Sequence, residues 1–424
     1  MRLEQIINQK LNNLPYVKKY IKRIYQYLMY LISSKKKFEG NIIRISPNDE
    51  YEYFFGYYDK SPWDISNRYI LCLKVKNTWR DVAPNEEAEI ILIDTEKKEN
   101  DNERIKNLAK TCAWNVQQGC MLQWLGPNFN EKIIYNDFRD GEFCSVILNI
   151  RTKEEKIIKA PVYTISSDGK FALTLDFTRL HSLRPGYGYS NKIEETKGIP
   201  LPDKTCIWKI DLESGKIEEI FKYKDFVEFN PREEMLDNKA IHKVNHLMLS
   251  PNGKRFMVLY RWFNGKRKYT RLITADINGK DMYLLSDEDM VSHCFWKNNE
   301  EILGFMNKFS EGQGYYLLKD KTQNYKRLWK ELVNDGHPSY NPNGENIVTD
   351  TYPDRKRMAE IKILKETGEI EVLGKVFAPF KYDNDTRCDL HPRWDRKGEK
   401  ICFDSVFEGK RKLYVIDIKG ERKN

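Results

Sequence analysis

Short apolar runs alternate with polar turns along most of this chain, and one arrangement of them recurs. Residues 337–344 read His-Pro-Ser-Tyr-Asn-Pro-Asn-Gly, and residues 391–398 read His-Pro-Arg-Trp-Asp-Arg-Lys-Gly. Residues 246–253 (His-Leu-Met-Leu-Ser-Pro-Asn-Gly) and 293–300 (His-Cys-Phe-Trp-Lys-Asn-Asn-Glu) follow the same plan, the last without its glycine. In each, the fourth residue is large and apolar: Leu249, Trp296, Tyr340 and Trp394. A polar turn follows, then a second strand such as Lys400-Ile401-Cys402-Phe403. That is the signature of a β-hairpin. Its return every 45–55 residues or so predicts a repeat architecture.

Weaker copies lie upstream. The segment 60–67 keeps a Trp63-Asp64 pair and a turn, 162–169 keeps the turn, and 121–124 keeps the aromatic as Trp124. The total is seven units. Seven four-stranded sheets closed in a ring make a β-propeller, an architecture that leaves only short, protected strand edges. The fold class expected is therefore all-β: a seven-bladed propeller over residues 41–424, preceded by a helical arm at 1–40. Blade three is interrupted at about 176–204 by a loop rich in His, Arg, Tyr and Gly. A loop this long inside a compact repeat points to function.

In the arm the periodicity changes. Val17, Ile21, Ile24, Leu28, Leu31 and Ile32 recur at helical spacing after Pro15, while Lys18, Lys19, Lys22, Arg23 and Gln26 fall mostly elsewhere on the wheel. Lys35-Lys36-Lys37 follow. This is a basic amphipathic helix. It is expected to lie on an anionic membrane surface through residues 15–37, or to dock on the ring or a partner protein. A signal peptide fits less well, because the apolar run is short, broken by Gln26 and followed by no small-residue cleavage site. A membrane-crossing helix would need about 20 apolar residues.

Charge sharpens this division. The formal net charge is +9, but residues 1–40 hold nine Lys/Arg against two Glu, so the ring itself is near neutral. That excludes the basic face a nucleic-acid groove requires. The eight cysteines show no paired spacing, and Cys72, Cys144 and Cys402 sit inside apolar strand patterns. Unpaired thiols suit a reducing compartment, so the expected location is cytoplasmic, peripheral to the inner face of the membrane.

The chain has six histidines, and His246, His293, His337 and His391 take the same place in successive repeats. In a blade that place begins the innermost strand, at one mouth of the central channel, so the four should converge on the axis. His181 and His242 lie in segments that can overhang the same mouth. Imidazoles so grouped can hold Zn²⁺ or Mn²⁺, with Cys388 or Asp389 as further ligands, or do acid–base work. They can equally be staples bonded to a neighbouring blade's backbone. Arg184, Arg261, Arg355, Arg387 and Arg393 form a second set suited to carboxylates, or to blade-to-blade ion pairs.

The hairpin motif resembles that of TolB-like propellers. Gly56-Tyr57-Tyr58-Asp59-Lys60, Arg184-Pro185-Gly186-Tyr187-Gly188-Tyr189, His337-Pro338-Ser339-Tyr340 and Cys388-Asp389-Leu390-His391-Pro392-Arg393 together resemble seven-bladed polysaccharide lyases of the oligogalacturonate and ulvan lyase type. The resemblance spans roughly residues 50–420. It implies β-elimination on a uronate-containing polysaccharide or oligosaccharide, with His181 or His246 as base and Tyr187 or Tyr189 as acid. Arg184, Arg261 or Arg393 would hold the carboxylate, and His337 and His391 would be ligands if a metal is present; His293 joins the metal candidates through its shared place in the repeat. The metal-dependent oligogalacturonate enzymes use a Gln and a closely spaced His pair, and here the position two before His391 is Asp389. Two alternatives stand beside the lyase: a non-catalytic, membrane-peripheral propeller that binds glycan or protein partners in surface-polysaccharide biosynthesis, and a glycosyltransferase, for which no nucleotide-sugar fingerprint is present.

Overall fold

The computed structural model describes residues 15–31 and 37–419. Its strands form seven antiparallel sheets, the blades of a propeller, each four strands wide except the sixth, which has five. Within each blade, strands consecutive in sequence form a meander running outward from the channel, and blades six and seven each gain one further strand from residues 38–44. Blade four is the most regular, with strands Ile241–Leu249, Arg255–Asn264, Arg267–Asp276 and Tyr283–Ser286 paired in sequence order. In such a meander, the loop between the second and third strands and the link to the next blade open on one face of the ring. The remaining hairpin loops open on the other.

The ring closes where the segment around residues 38–44 meets the last two blades. Ile43–Arg44 supplies the outer strand of blade seven, Ile43 opposite Val415 and Arg44 opposite Tyr414. Phe38–Glu39 adds the fifth strand to blade six, opposite Val376 and Lys375. The ring therefore begins inside the segment assigned to the arm. Pairing first and last strands protects edges that would otherwise template association.

The recurring motif has a physical explanation at each position. The fifth residue is a hydrogen-bond acceptor that closes the turn. Asp64 accepts from the backbone of Arg68 and Tyr69, Ser166 from Lys170 and Phe171, Ser250 from Arg255, Asn341 from Glu345 and Asn346, and Asp395 from Glu399. The eighth is glycine because the turn needs positive φ: +71°, +67°, +74° and +70° at Gly169, Gly253, Gly344 and Gly398. The fourth is a tryptophan in four blades, and in three of them its indole N–H reaches the preceding blade, while that of Trp63 is buried without a partner among the described residues. Trp124 donates to the Pro62 carbonyl at 2.9 Å, Trp296 to Met248 at 3.1 Å and Trp394 to Ser339 at 3.1 Å. Three repeats thus carry their own link to the preceding blade.

Two departures from the meander shape the channel mouth. In blade one the inner strand is split. After Glu52–Phe54, the segment 55–60 crosses the channel before Trp63 pairs with Ile70. In blade three the insertion opens with helix α2 (Phe177–Leu183), capped by Asp176, which accepts from Thr178 and Arg179. The buried Arg179 then folds the insertion back on blade four. Its guanidinium pairs with Glu194 at 2.6 Å and donates to the carbonyls of His242, Ile199 and Pro200.

The arm helix α1 (Pro15–Leu31) docks beside the link from blade six to blade seven. Tyr30 stacks on Phe377 at 4.9 Å, Arg23 pairs with Asp383, and Gln26 is buried.

Candidate functional site at the channel mouth

Four imidazoles surround two tyrosines. Tyr57 lies 5.5, 6.5, 6.4 and 5.1 Å, ring to ring, from His246, His293, His337 and His391, and Tyr58 lies within 6.3 Å of all four. His293 and His337 are 4.1 Å apart, and His337 and His391 are 4.4 Å apart. The convergence expected from the repeat is present. The tyrosines reach the axis because Gly56, at φ +128°, lets the crossing segment press on blade two. A Cβ there would stand 2.6 Å from the Gln118 carbonyl oxygen.

Each imidazole is held by Nδ1. His391 donates to the Gly56 carbonyl at 2.9 Å, so it staples blade seven to blade one, and its Nε2 is left as the lone pair. His337 bonds Asp350 at 2.8 Å, His293 bonds Asp335 at 3.2 Å, and His246 bonds the Tyr163 hydroxyl at 3.1 Å. The Nε2 atoms of His246, His337 and His391 are buried without a partner among the described residues. Staple and ligand are therefore not alternatives here, because one ring nitrogen serves the fold and the other faces the channel. Nδ1 held by a carboxylate or carbonyl with Nε2 free is the arrangement that orients metal-binding histidines.

Asp350, on the second strand of blade six, organises the pair. One carboxylate oxygen accepts from both the backbone N–H and Nδ1 of His337, and the other accepts from the backbone N–H of His391 at 3.1 Å. His391 itself sits at φ +44°, a left-handed conformation that costs a non-glycine residue and persists only where its surroundings fix it. The electrostatics follow. Burial lowers His337, but Asp350 outweighs it and the pKa ends above its ordinary 6.5. Burial, with His337 and Arg393 alongside, holds His391 far below that value, and burial pulls His246 down to about 3. Burial also wins over Asp335 at His293, whose pKa is lowered.

Candidate ligand atoms of His337, Asp389 and His391 lie within 4.8 Å of one another. Asp389 is also gripped by Arg387, at 2.5 and 2.9 Å, which offsets its burial and keeps its carboxyl below the usual range. Two orphaned imidazole nitrogens and a carboxylate suit Zn²⁺ or Mn²⁺. Cys388, expected as a further ligand, packs instead with Tyr382 and Val406, because neighbouring residues of an extended segment point to opposite sides.

Cations gather on one side of this group. Arg184 lies 3.9 Å over the Tyr187 ring and reaches the Asn245 side chain at 3.5 Å. Arg261 donates to Thr270 at 3.1 Å. Burial, then Arg184, lowers Arg261 to about 10; Arg261, then burial, lowers Lys268 to about 8 at the exposed rim. Lys243 is driven well below its ordinary value, chiefly by burial and then by Arg261. Among the described residues none of these four cations has an ion-pair partner, in contrast to Arg387 and Arg179. Neighbouring cations help lower Arg261, Lys243 and Lys268, which favours an anionic ligand among them, whereas at Arg184 burial is outweighed by Tyr187, Tyr57, Tyr352 and Asp389, which raise it.

Other expected site residues stand apart. Arg393 reaches the channel at the Gly56 carbonyl, but its charge is paired with Asp404 at 3.0 Å, which Arg411 shares. Tyr189 stacks on Phe177 at 4.6 Å and its hydroxyl accepts from Asn136, which makes it core. His181 bonds the Tyr187 carbonyl inside the insertion, and no described contact carries its ring to the imidazole group. His242 is enclosed by Tyr260 and the Met235 carbonyl and does not overhang the mouth. Asp335, Asp350, Tyr57, Tyr58, Lys243 and Lys268 were not singled out from the sequence as site residues. Only the two tyrosines had a signal, the Gly56–Lys60 stretch. A separate cleft of about 570 Å³, lined by Asp176, Thr178, Lys192, Thr205 and Trp208 among others, shares no residue with the mouth.

No protein-family model and no curated protein matches the sequence. Solved structures do match the fold. An oligogalacturonate lyase from Vibrio parahaemolyticus aligns with a TM-score of 0.60 at 13% identity, covering 90% of this chain and 96% of that one. An oligogalacturonate lyase in complex with manganese aligns with a TM-score of 0.62 at 14% identity over 89% and 93%. A TolB from Acinetobacter baumannii matches at 0.40 and 14% identity, over 73% and 63%, too distant to carry an argument. The two lyase likenesses agree with the seven-bladed propeller and leave function to the residues of the site.

Proposed function

We propose that this protein is a carbohydrate-active propeller that binds an acidic, uronate-containing glycan at the channel mouth and cleaves it by β-elimination. One observation carries the reading: Arg261 and Arg184 lie beside His246 and His293, Lys243 and Lys268 lie beside those arginines, and none of the four has an ion-pair partner among the described residues. Arg184 and Arg261 would take the uronate carboxylates, guanidinium being suited to bidentate pairing. Their charge would also acidify the neighbouring C–H. His246, kept neutral by burial, would be the base. Tyr187, which burial keeps protonated despite Arg184, would give its proton to the leaving oxygen. A Zn²⁺ or Mn²⁺ ion on His337, His391 and Asp389, with His293 nearby, would supply Lewis-acid polarisation of a bound carboxylate. His181, Tyr189 and Arg393 would support the insertion and the ring.

We read the arm, residues 15–37, as the membrane-peripheral element of a protein working on the cytoplasmic side. All eight cysteines are free, in keeping with that compartment. No described helix is long and apolar enough to cross a membrane.

The test is a panel of uronate polymers and oligomers offered to metal-loaded protein, read by the absorbance of an unsaturated uronate product. Arg184→Ala and Arg261→Ala should each lower kcat/KM by about 100-fold. Binding of uronate oligomers without product, weakened by the same substitutions, would replace the lyase with the non-catalytic glycan binder. Neither product nor binding across the panel would remove the glycan reading.

A further inference from the structure

Helix α1 is docked inside out. An amphipathic helix on a protein usually buries its apolar stripe. Here the side carrying Arg23, Gln26 and Tyr30 meets the ring, through Asp383, Phe377 and Phe380. The stripe Val17, Ile21, Ile24, Leu28 and Leu31 points away, with Ile24 60% and Leu28 54% exposed. Phe377 ends the fourth strand of blade six, and Phe380 and Asp383 belong to the link from it to blade seven, so the helix lies on the face of the ring where the mouth opens.

That same face carries other exposed apolar side chains. Trp79 is in a loop joining the second and third strands of blade one, and Ile193 (82% exposed), Ile199 and Leu201 are in the blade-three insertion. Phe309 (71% exposed) is in a loop of blade five, while Leu236 and Val333 are in links between blades. All are in the loop classes that open beside the imidazoles. Among the described residues, the opposite face has a single exposed large apolar loop residue, Ile65.

We propose that the mouth-bearing face rests on an anionic lipid bilayer, with the outward stripe of α1 in the headgroup layer and the loop apolars beside it. Charge selects this occupant. The sequence sets Lys18 and Lys22 beside the stripe and Lys35, Lys36 and Lys37 just after the helix, within a segment of nine Lys/Arg and two Glu. Basic side chains flanking an apolar stripe bind anionic headgroups. A glycan entering the mouth would then be one held close to the membrane surface. The orientation stands whether or not the ring cleaves that glycan.

Vesicle sedimentation of the full chain tests it, with phosphatidylcholine alone and with added phosphatidylserine. The wild type should sediment with the anionic vesicles and far less with the neutral ones. Ile24→Glu/Leu28→Glu, at exposed positions outside the channel, should weaken binding by on the order of tenfold or more and leave the circular dichroism spectrum unchanged. Ile193→Glu/Phe309→Glu should also weaken it, and Ile65→Glu on the opposite face should not. Equal binding to both vesicle types, or undiminished binding by the helix variant, overturns the proposal. So does equal loss from Ile65→Glu, which would refute the orientation. A dimer in sedimentation velocity that Ile24→Glu/Leu28→Glu dissolves, without vesicle binding by the wild type, assigns the stripe to a second copy of this chain and likewise overturns it.

Discussion

Asp350→Asn is the sharpest test of how the imidazole pair is built. The carboxylate is buried and accepts from three donors: the backbone of His337 at 2.9 Å, its Nδ1 at 2.8 and 3.0 Å from the two oxygens, and the backbone of His391 at 3.1 Å. Asparagine has the same shape but one acceptor oxygen. Turned to keep His337, it presents its NH₂ to the His391 N–H, two donors face to face. The loss is then a hydrogen bond to a charged group, about 1.5–3 kcal/mol, and an orphaned buried N–H, about 1–3 kcal/mol. We expect a destabilisation of about 3–5 kcal/mol, the range for breaking a buried charged pair. The left-handed backbone of His391 should relax with it.

The loss should depend on pH with a definite sign. His337 has its pKa raised on folding by Asp350. A group raised on folding contributes its full stabilisation below its unfolded value, 6.5 here, and loses it as pH rises through the folded value. The gap between wild type and Asp350→Asn should therefore be wider at pH about 5.5 than at about 8.5. Urea unfolding of metal-free protein, followed by tryptophan fluorescence at both values, measures this. A change under about 0.5 kcal/mol, within the range of neutral surface substitutions, would refute the argument. So would a gap of the same size at both pH values.

Two further outcomes follow from the geometry. Trp394→Phe removes the indole N–H that bonds the Ser339 carbonyl but keeps most of the ring, and should cost about 1–2 kcal/mol in denaturant unfolding, with no change in uronate affinity. If the channel group takes Zn²⁺ or Mn²⁺, the ion competes with a proton on His337 but not on His391, which burial already keeps neutral. Affinity measured by calorimetry should fall about tenfold per pH unit once the pH drops below the His337 value. A flat profile would exclude His337 as a ligand.

Much of the fold is written locally. A turn acceptor at the fifth position, a glycine at the eighth and an apolar fourth residue are demands that a single hairpin makes of its own sequence, so their recurrence declares the blades. The repeated histidine could be located from sequence for the same reason, since a position shared by successive blades of a ring must converge on its axis. The apolar stripe of α1 was likewise plain, because helical periodicity shows within one turn of the chain.

What tertiary structure decided are the relations between residues far apart in sequence. Asp350 binds histidines 13 and 41 positions away, and the Gly56 carbonyl reaches His391 across 335. No local pattern marks a carboxylate or a carbonyl for such a partner. Arg393 and Arg184 look equally free in the sequence, yet one pairs with Asp404 at 3.0 Å while the other lies over the Tyr187 ring with no ion-pair partner among the described residues. The outward turn of the α1 stripe belongs here too. Periodicity defines the stripe, but which side meets the ring is settled by the aromatic and acidic groups that the blade-six link presents to it.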